Sequence, residues 1–198
     1  MNSNHTQRAA LNLDAALVPG FRFPLNVFRG QWGGYLFFDG DLIFDAQFVK
    51  AVRTLLEIEN AECACLRILD PSYDSVGHKW TSPEDFFLNK GISGDNYMSF
   101  LRPVPGVGWL VAMFGRLGCT SDVGSWCIYW ERNNEIAVIA VREARKLNQV
   151  KAVLENNAAP IKQALEEPPS WGLTSRGMPP EWRAKLQQEY ANAEEHST

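Results

Sequence analysis

The sequence lacks any apolar run close to the roughly 20 residues that a membrane-spanning helix requires. Its N-terminus is also unlike a secretory signal, because the polar stretch 5–8 stands where an apolar core would be needed. These two absences predict a cytoplasmic protein that has no membrane partner.

Cysteine is sparse, with four in 198 residues. Cys63 and Cys65 lie two positions apart on a predicted strand, so they share one face and are badly oriented for a disulfide. Cys119 and Cys127 lie elsewhere, and no pair has the C-x-x-C spacing typical of zinc or thioredoxin-like sites. We therefore expect buried, reduced thiols.

Histidine is rarer still, with three in the chain. His5 and His196 are near the two ends, which are expected to fray, so the sequence predicts no metal site built from imidazole. His78 has no partner within its own segment and is interpreted as a solvated surface residue.

Motifs for cofactor binding and catalysis are also missing. The glycines at 30–34 and 91–94 match neither the dinucleotide fingerprint nor the phosphate-binding P-loop, and G-x-S-x-G is absent. Cys119 has the most nucleophile-like surroundings, but no base lies beside it in the sequence. We therefore predict a protein that is not an enzyme and that has no catalytic residue, no cofactor and no metal.

The sequence does have enough apolar content for one folded domain. Apolar residues make up 45% of the chain and charged residues 21%, as in ordinary globular proteins. We expect a single domain over residues 1–168, followed by a linker and a C-terminal helix over 169–198.

Apolar periodicity predicts an α+β fold, with a mainly antiparallel sheet built from hairpins and flanked by helices. Hairpins are expected at 35–44, turning at Asp39-Gly40, and at 126–141, turning at Asn133-Asn134. Single strands are expected at 62–69 and 109–114. One further helix is expected to begin after a cap at Asp45. The other expected helices are at 9–18, 82–90, 95–101, 147–154, 161–165 and 181–194.

The chain is rich in tryptophan, with seven residues. Alternation along the second hairpin sends Trp126 and Trp130 to one face of a strand, where they can pack in a core. Core packing accounts for most of the aromatic residues. An exposed Trp32, Trp80 or Trp171 would suit a protein-binding hot spot.

The segment from Trp126 to Val141, WCIYWERNNEIAVIAV, resembles a tryptophan-containing hairpin of small bacterial immunity proteins. The shared pattern is W-x-I-Y-x-[DE]-R followed by [DE]-x-A-V-[IL]. Such proteins are the cognate inhibitors encoded beside polymorphic or contact-dependent growth-inhibition toxins. The resemblance implies a non-enzymatic inhibitor that binds a toxin domain, such as a nuclease.

Charge is concentrated in one segment of the chain. Residues 39–62 hold six acidic and two basic residues, an excess equal to the net charge of −4 for the whole chain. This balance disfavours direct binding to nucleic acid, whereas carboxylates that mimic phosphate would suit a basic toxin. The predicted partner-binding residues are Asp39, Asp41, Asp45, Glu57, Glu59, Glu62, Trp32 and Trp80.

Two other functions remain open from the sequence. One is a small hydrolase-like enzyme that uses His78, Cys119 or the carboxylates between Asp39 and Asp45, which would have to gather in one cleft. The other is a protein-binding adaptor whose helix at 181–194 docks a partner. The apolar residues of that helix are Trp182, Leu186 and Tyr190.

Overall fold

The fold was analysed in a computed structural model, which describes residues 3–70, 85–101, 115–155, 157–166 and 177–191. These residues form six α-helices and seven strands. The helices are α1 Ser3–Ala16, α2 Ala46–Ile58, α3 Gly94–Leu101, α4 Leu147–Val153, α5 Ile161–Glu166 and α6 Pro180–Tyr190. The strands are β1 Gly34–Asp39, β2 Cys63–Ile68, β3 Phe86–Asn89, β4 Arg116–Ser121, β5 Trp126–Glu131, β6 Ile136–Val141 and β7 Ala158–Ala159.

The strands form one sheet in the order β3-β2-β4-β5-β6-β1-β7. Each pair of neighbours is antiparallel. The predicted α+β class with a mainly antiparallel sheet is therefore confirmed. Among the described residues, no helix is both long and apolar enough to span a bilayer.

The sheet is covered by helices on both faces. Every residue of β4, β5 and β6 is buried. Trp126 and Trp130 pack in the cluster that includes the apolar side of α2, whereas Cys127 and Tyr129 pack in the cluster that includes α1 and α6. The predicted alternation along β5 is confirmed, and it separates two cores with the sheet between them.

The hairpin of β5 and β6 is confirmed, in the register Glu131↔Ile136. Its turn differs in detail from the expected Asn-Asn turn. Residues Arg132–Asn134 form a short 3₁₀ turn, and the residue with left-handed backbone is Glu135, at φ 49°. Its N–H donates to the carbonyl of Arg132 at 3.0 Å, which closes the turn.

The hairpin predicted around Asp39-Gly40 is wrong. Strand β1 is present, but Gly40–Phe44 forms a 3₁₀ turn, with the Asp39 carboxylate accepting the Asp41 N–H at 3.0 Å. Asp-Gly suits a tight hairpin turn, but an aspartate can also cap a helical turn. Here Gly40 lies against the Trp130 indole, and β1 pairs instead with β6 and β7.

The helix predicted at 82–90 is also wrong over its described part. Residues Phe86–Asn89 form the edge strand β3, which pairs with β2. This pairing completes the ladder at the outer edge of β2, and tertiary context of this kind overrides local propensity. Residues 82–84 and the strand expected at 109–114 lie outside the described residues.

The C-terminal helix α6 packs on the sheet. Leu186 and Tyr190 are buried, and the Tyr190 hydroxyl donates to the Leu25 carbonyl at 3.1 Å while accepting the Val27 N–H at 3.1 Å. Two of the three side chains assigned to an adaptor surface are therefore core residues. The reason is that they fill the face of the sheet opposite α2.

Substituting Gly40 by alanine tests the close approach of the Gly40–Phe44 turn to the Trp130 indole. A Cβ atom at Gly40 would lie 2.4 Å from Trp130 Nε1 and 2.7 Å from the Glu135 carbonyl oxygen. We expect Gly40→Ala to lower the free energy of unfolding by about 1–3 kcal/mol through overpacking, measured by urea denaturation. Gly91→Ala is the control, because its nearest contact would be 3.4 Å. Equal stability of the two variants would contradict the predicted crowding.

Candidate functional site

The six predicted acidic contacts fall into two groups at opposite ends of α2. Asp39, Asp41 and Asp45 precede the helix, and Glu57, Glu59 and Glu62 lie at or just beyond its last turn. The helix has 13 residues, which at roughly 1.5 Å per residue separates its ends by about 20 Å. The carboxylates therefore form two acidic groups and not one continuous patch.

The first acidic group is fixed by local turn chemistry. Asp39 caps the 3₁₀ turn, and Asp45 caps α2 by accepting the Gln47 N–H at 2.7 Å. The predicted cap at Asp45 is confirmed. Asp41 and Asp45 are exposed, so their negative charge reaches solvent from a rigid position. The bonds to backbone N–H groups account for Asp39 and Asp45 without any acid/base role.

The second acidic group contacts the turn between β4 and β5 through Glu59 and the backbone of Glu62. Glu57 and Glu62 are exposed, and Glu62 lies 3.9 Å from the Lys90 ammonium. Glu59 is half-buried and accepts a hydrogen bond from the Ser125 hydroxyl. Burial raises the pKa of the Glu59 carboxyl, and hydrogen bonding from the hydroxyls of Ser121 and Ser125 partly offsets that rise.

Glu59 has one oxygen with no hydrogen-bond partner among the described residues. The indole Nε1 of Trp126 is in the same situation. The indole lies near enough to lower the pKa of Glu59, but the two atoms do not reach hydrogen-bond geometry. Glu59 is therefore partly engaged in packing the end of α2 against the Ser125 turn, and its role as a partner-binding residue stays a prediction.

A histidine that sequence reasoning set aside lies beside this group. His5 on α1 contacts the carboxylate of Asp122 through Nδ1. Asp122 is 3% exposed, and its other oxygen accepts the backbone N–H groups of Glu62 at 3.0 Å and Cys63 at 3.4 Å. This pair ties α1 to the end of the sheet. The spacing of His5, Ala9 and Leu13 along one helical face is the sequence signal that was available.

None of the four cysteines is exposed in this fold. Cys119 is 1% exposed, and burial raises its pKa well above the ordinary thiol value. Burial raises the pKa of Cys63 to about 11, with the Asp122 carboxylate adding to the rise. All four cysteines are buried, unpaired thiols, as predicted. A thiolate would be needed for nucleophilic attack.

Trp32 is not an exposed hot spot. It is 8% exposed and belongs to the cluster opposite α2, so it lies away from both acidic groups. Its indole N–H donates to the Arg29 carbonyl at 3.1 Å, and the Arg142 guanidinium stacks 3.9 Å above its ring. The ring also packs against Phe28, with the two ring centroids 5.7 Å apart. Trp80, Trp171 and His78 lie outside the described residues.

A cavity of about 270 Å³ lies between α1 and the ends of β2 and β4. Its apolar walls include Leu13 and Val27, and Arg67 and Arg116 also line it. Both guanidiniums already bind carboxylates: Arg67 Nε lies 2.6 Å from an Asp85 oxygen, and Arg116 Nε lies 2.7 Å from an Asp70 oxygen. The walls are thus amphipathic with matched charges, which does not favour an anionic ligand.

These features define an antiparallel α+β protein with two exposed acidic groups fixed at the ends of one helix. Among the described residues, no group of three or more histidine, cysteine, aspartate or glutamate side chains could hold a metal ion. Comparisons with models of protein families, with curated proteins and with solved structures each gave no match.

The raised pKa of Glu59 predicts a pH-dependent stability. The folded protein binds this proton at a pH where the unfolded chain has released it, so this group makes stability fall as the pH rises above the ordinary value of 4.5. We expect Glu59→Gln to raise the melting temperature at pH 8 and to lose that advantage near pH 4. Thermal unfolding of Glu57→Gln, at an exposed position, is the control. A Glu59→Gln protein that is less stable at every pH would contradict the assignment.

The pairing of His5 with buried Asp122 predicts that α1 depends on the imidazole. Replacing His5 by alanine leaves the Asp122 carboxylate with only its backbone partners. We expect a loss of about 1–3 kcal/mol in the free energy of unfolding, as for other buried groups that lose a partner. Gln7→Ala, at an exposed position of the same helix, should change stability by less than about 0.5 kcal/mol. Equal effects of the two substitutions would remove the pair as a structural anchor.

Proposed function

We propose that this protein is a non-enzymatic immunity protein that binds and neutralises a cognate bacterial toxin domain, such as a nuclease. The observation that carries the proposal is the pair of acidic groups that α2 fixes at its two ends. Asp41 and Asp45 are exposed at one end, and Glu57 and Glu62 at the other. The resemblance of the β5–β6 hairpin to immunity proteins supports the same function.

The separation of the two groups fits one protein–protein interface. A standard interface buries about 800 Å² on each partner, which corresponds to a patch roughly 30 Å across. The two groups are about 20 Å apart along α2, so a single toxin domain can contact both. Lys50 and Arg53 are exposed on the helix between them, which would place the negative charge at the two ends of the contact.

The rigidity of α2 favours binding by charge and shape. Its buried face includes Phe48, Val52 and Leu56, which pack on the sheet, and Asp45 caps its first turn. Carboxylates on such a support need little ordering when a partner arrives, which improves affinity. Their long-range field accelerates encounter with a basic partner.

The thiol of the rival hydrolase hypothesis is unfavourably placed, because Cys119 is buried and its burial raises the thiol pKa. Asp39 and Asp45 are engaged in capping bonds. The adaptor hypothesis loses the free apolar face of α6, because Leu186 and Tyr190 are in the core. The toxin-binding proposal needs neither a thiol nor a free apolar face on α6, and the capping bond of Asp45 leaves that residue exposed.

We expect the gene immediately upstream of this chain's own gene to encode a toxin domain, and the test uses that domain; the absence of a toxin gene there would count against the proposal. Co-expression of this protein should restore growth of cells that produce that toxin. Charge reversal by Asp41→Lys or Glu57→Lys should slow association about 3–10-fold at low salt, with a smaller effect at high salt, because steering is screened. Stopped-flow or surface-binding kinetics measure both rates.

The matched control is Glu181→Lys, which reverses an exposed charge on α6, in the helical layer opposite α2. It should leave the association rate unchanged. Equal rates for the native protein and the α2 variants across the salt series would refute the acidic surface. Failure of the native protein to protect cells would refute the immunity function itself.

A further inference from the structure

The outer edge of β1 is only half covered. Strand β7 has two residues, and they pair with Phe37 and Phe38. Pro160 follows at once and has no N–H to give to a ladder, and α5 begins at Ile161. In the described part of the chain, therefore, no strand lies opposite Tyr35.

The backbone of Tyr35 points toward this open edge. Gly40 donates its N–H to the Glu135 carbonyl at 3.1 Å, in the same register that pairs β1 with β6. In an antiparallel pair, hydrogen-bonded positions alternate with positions whose N–H and C=O point the other way. Counting back from Gly40, Tyr35 and Phe37 direct these groups away from β6. Phe37 meets Ala159 there, and Tyr35 faces a groove.

The groove has a volume of about 460 Å³ and runs between α4 and α5 beside the first half of β1. Tyr35, Leu36 and Leu147 give it an apolar floor, and Lys151 and Lys162 lie along it. Neither lysine forms an ion pair with the described residues. Glu166 is the one acidic side chain among the described residues that line the groove, so this lining carries a positive excess.

The surroundings of the groove are also basic. Residues 142–151 contain four basic residues and one acidic residue, in a chain whose net charge is −4. That one acid, Glu143, is bound by two of the four cations, at 2.5 Å to Arg145 and 2.6 Å to Lys146. Positive charge therefore exceeds negative charge in this segment.

We propose that this groove binds an extended, acidic peptide segment of a partner protein, which adds as a short strand to β1 opposite Tyr35. Main-chain hydrogen bonds to Tyr35 would supply affinity, and acidic side chains reaching Lys151 and Lys162 would supply specificity. A peptide is favoured over a nucleic acid because the groove offers a strand edge, which matches a polypeptide backbone. The proposal does not depend on the toxin-binding surface.

The experiment uses the full chain, labelled with ¹⁵N, and a capped pentapeptide of alternating valine and glutamate. Addition of the peptide should shift the amide signals of Tyr35, Leu36 and Leu147 with a dissociation constant of about 0.1–1 mM, as expected for a short flexible ligand. Hydrogen exchange at the Tyr35 amide should slow at least fivefold at saturation. The matching valine–lysine peptide should not bind.

Two N-methylated forms of the glutamate peptide test strand addition directly. One form is methylated at the central residue and the other at the two residues beside it. Alternate amides of a strand face its neighbour, so one of the two forms should lose binding and the other should keep it. Equal binding of both forms would overturn the strand-addition geometry.

Three substitutions test the groove itself. Lys151→Glu and Lys162→Glu should each weaken binding of the glutamate peptide about fivefold or more, and Asn148→Trp should block the groove without changing its charge. Arg53→Glu, the same charge change at an exposed position of α2, is the control and should bind normally. Circular dichroism confirms that each variant is folded.

Several outcomes would overturn the proposal. They are the absence of shifts at Tyr35 and Leu36 with millimolar peptide, equal weakening by Arg53→Glu, and full binding by Asn148→Trp. A single-stranded oligonucleotide that shifts the same amides at lower concentration than the peptide would also overturn it, because the basic surface would then be a nucleic-acid site.

Discussion

The burial of both faces of β4, β5 and β6 is the constraint on which the rest of the structure depends. A strand that is buried on both sides needs a packed layer on each face of the sheet. Hydrogen bonding to neighbouring strands covers only its edges, so the two faces must be covered by other elements. Helix α2 covers one face of the sheet, and α1 and α6 cover the other. This arrangement also fixes the positions of the surface charges. Each helix turns its apolar face to the sheet, so its charged residues lie on the opposite, exposed face.

The separation of the acidic residues shows how this constraint reaches the surface. The sequence places six carboxylates in one segment, but α2 must extend across the sheet to bury Phe48 and Leu56. The acidic residues of this segment therefore lie at the two ends of α2. The basic residues that follow β6 lie beside the first half of β1, at the edge of the sheet that ends in β7. The molecule thus has acidic and basic regions although its net charge is small.

Much of the fold could be predicted where local and long-range signals agree. The alternation along β5 and the Asp45 cap both fit their tertiary setting. Prediction failed at Asp39-Gly40, where the Trp130 indole decides the path of the chain, and at β3, where pairing with β2 decides it. The roles of His5 and Trp32 were missed for the same reason, since their partners Asp122 and Arg142 are more than a hundred residues away.

The burial of the four thiols has a practical consequence for handling the protein. A reagent that modifies cysteine needs an accessible thiolate, and none is exposed in the folded state because every cysteine lies in one of the two cores. The chain should thus tolerate air and oxidants without added reductant. Because a buried thiol reacts only after it becomes exposed, the rate of cysteine alkylation would measure how often the folded structure opens.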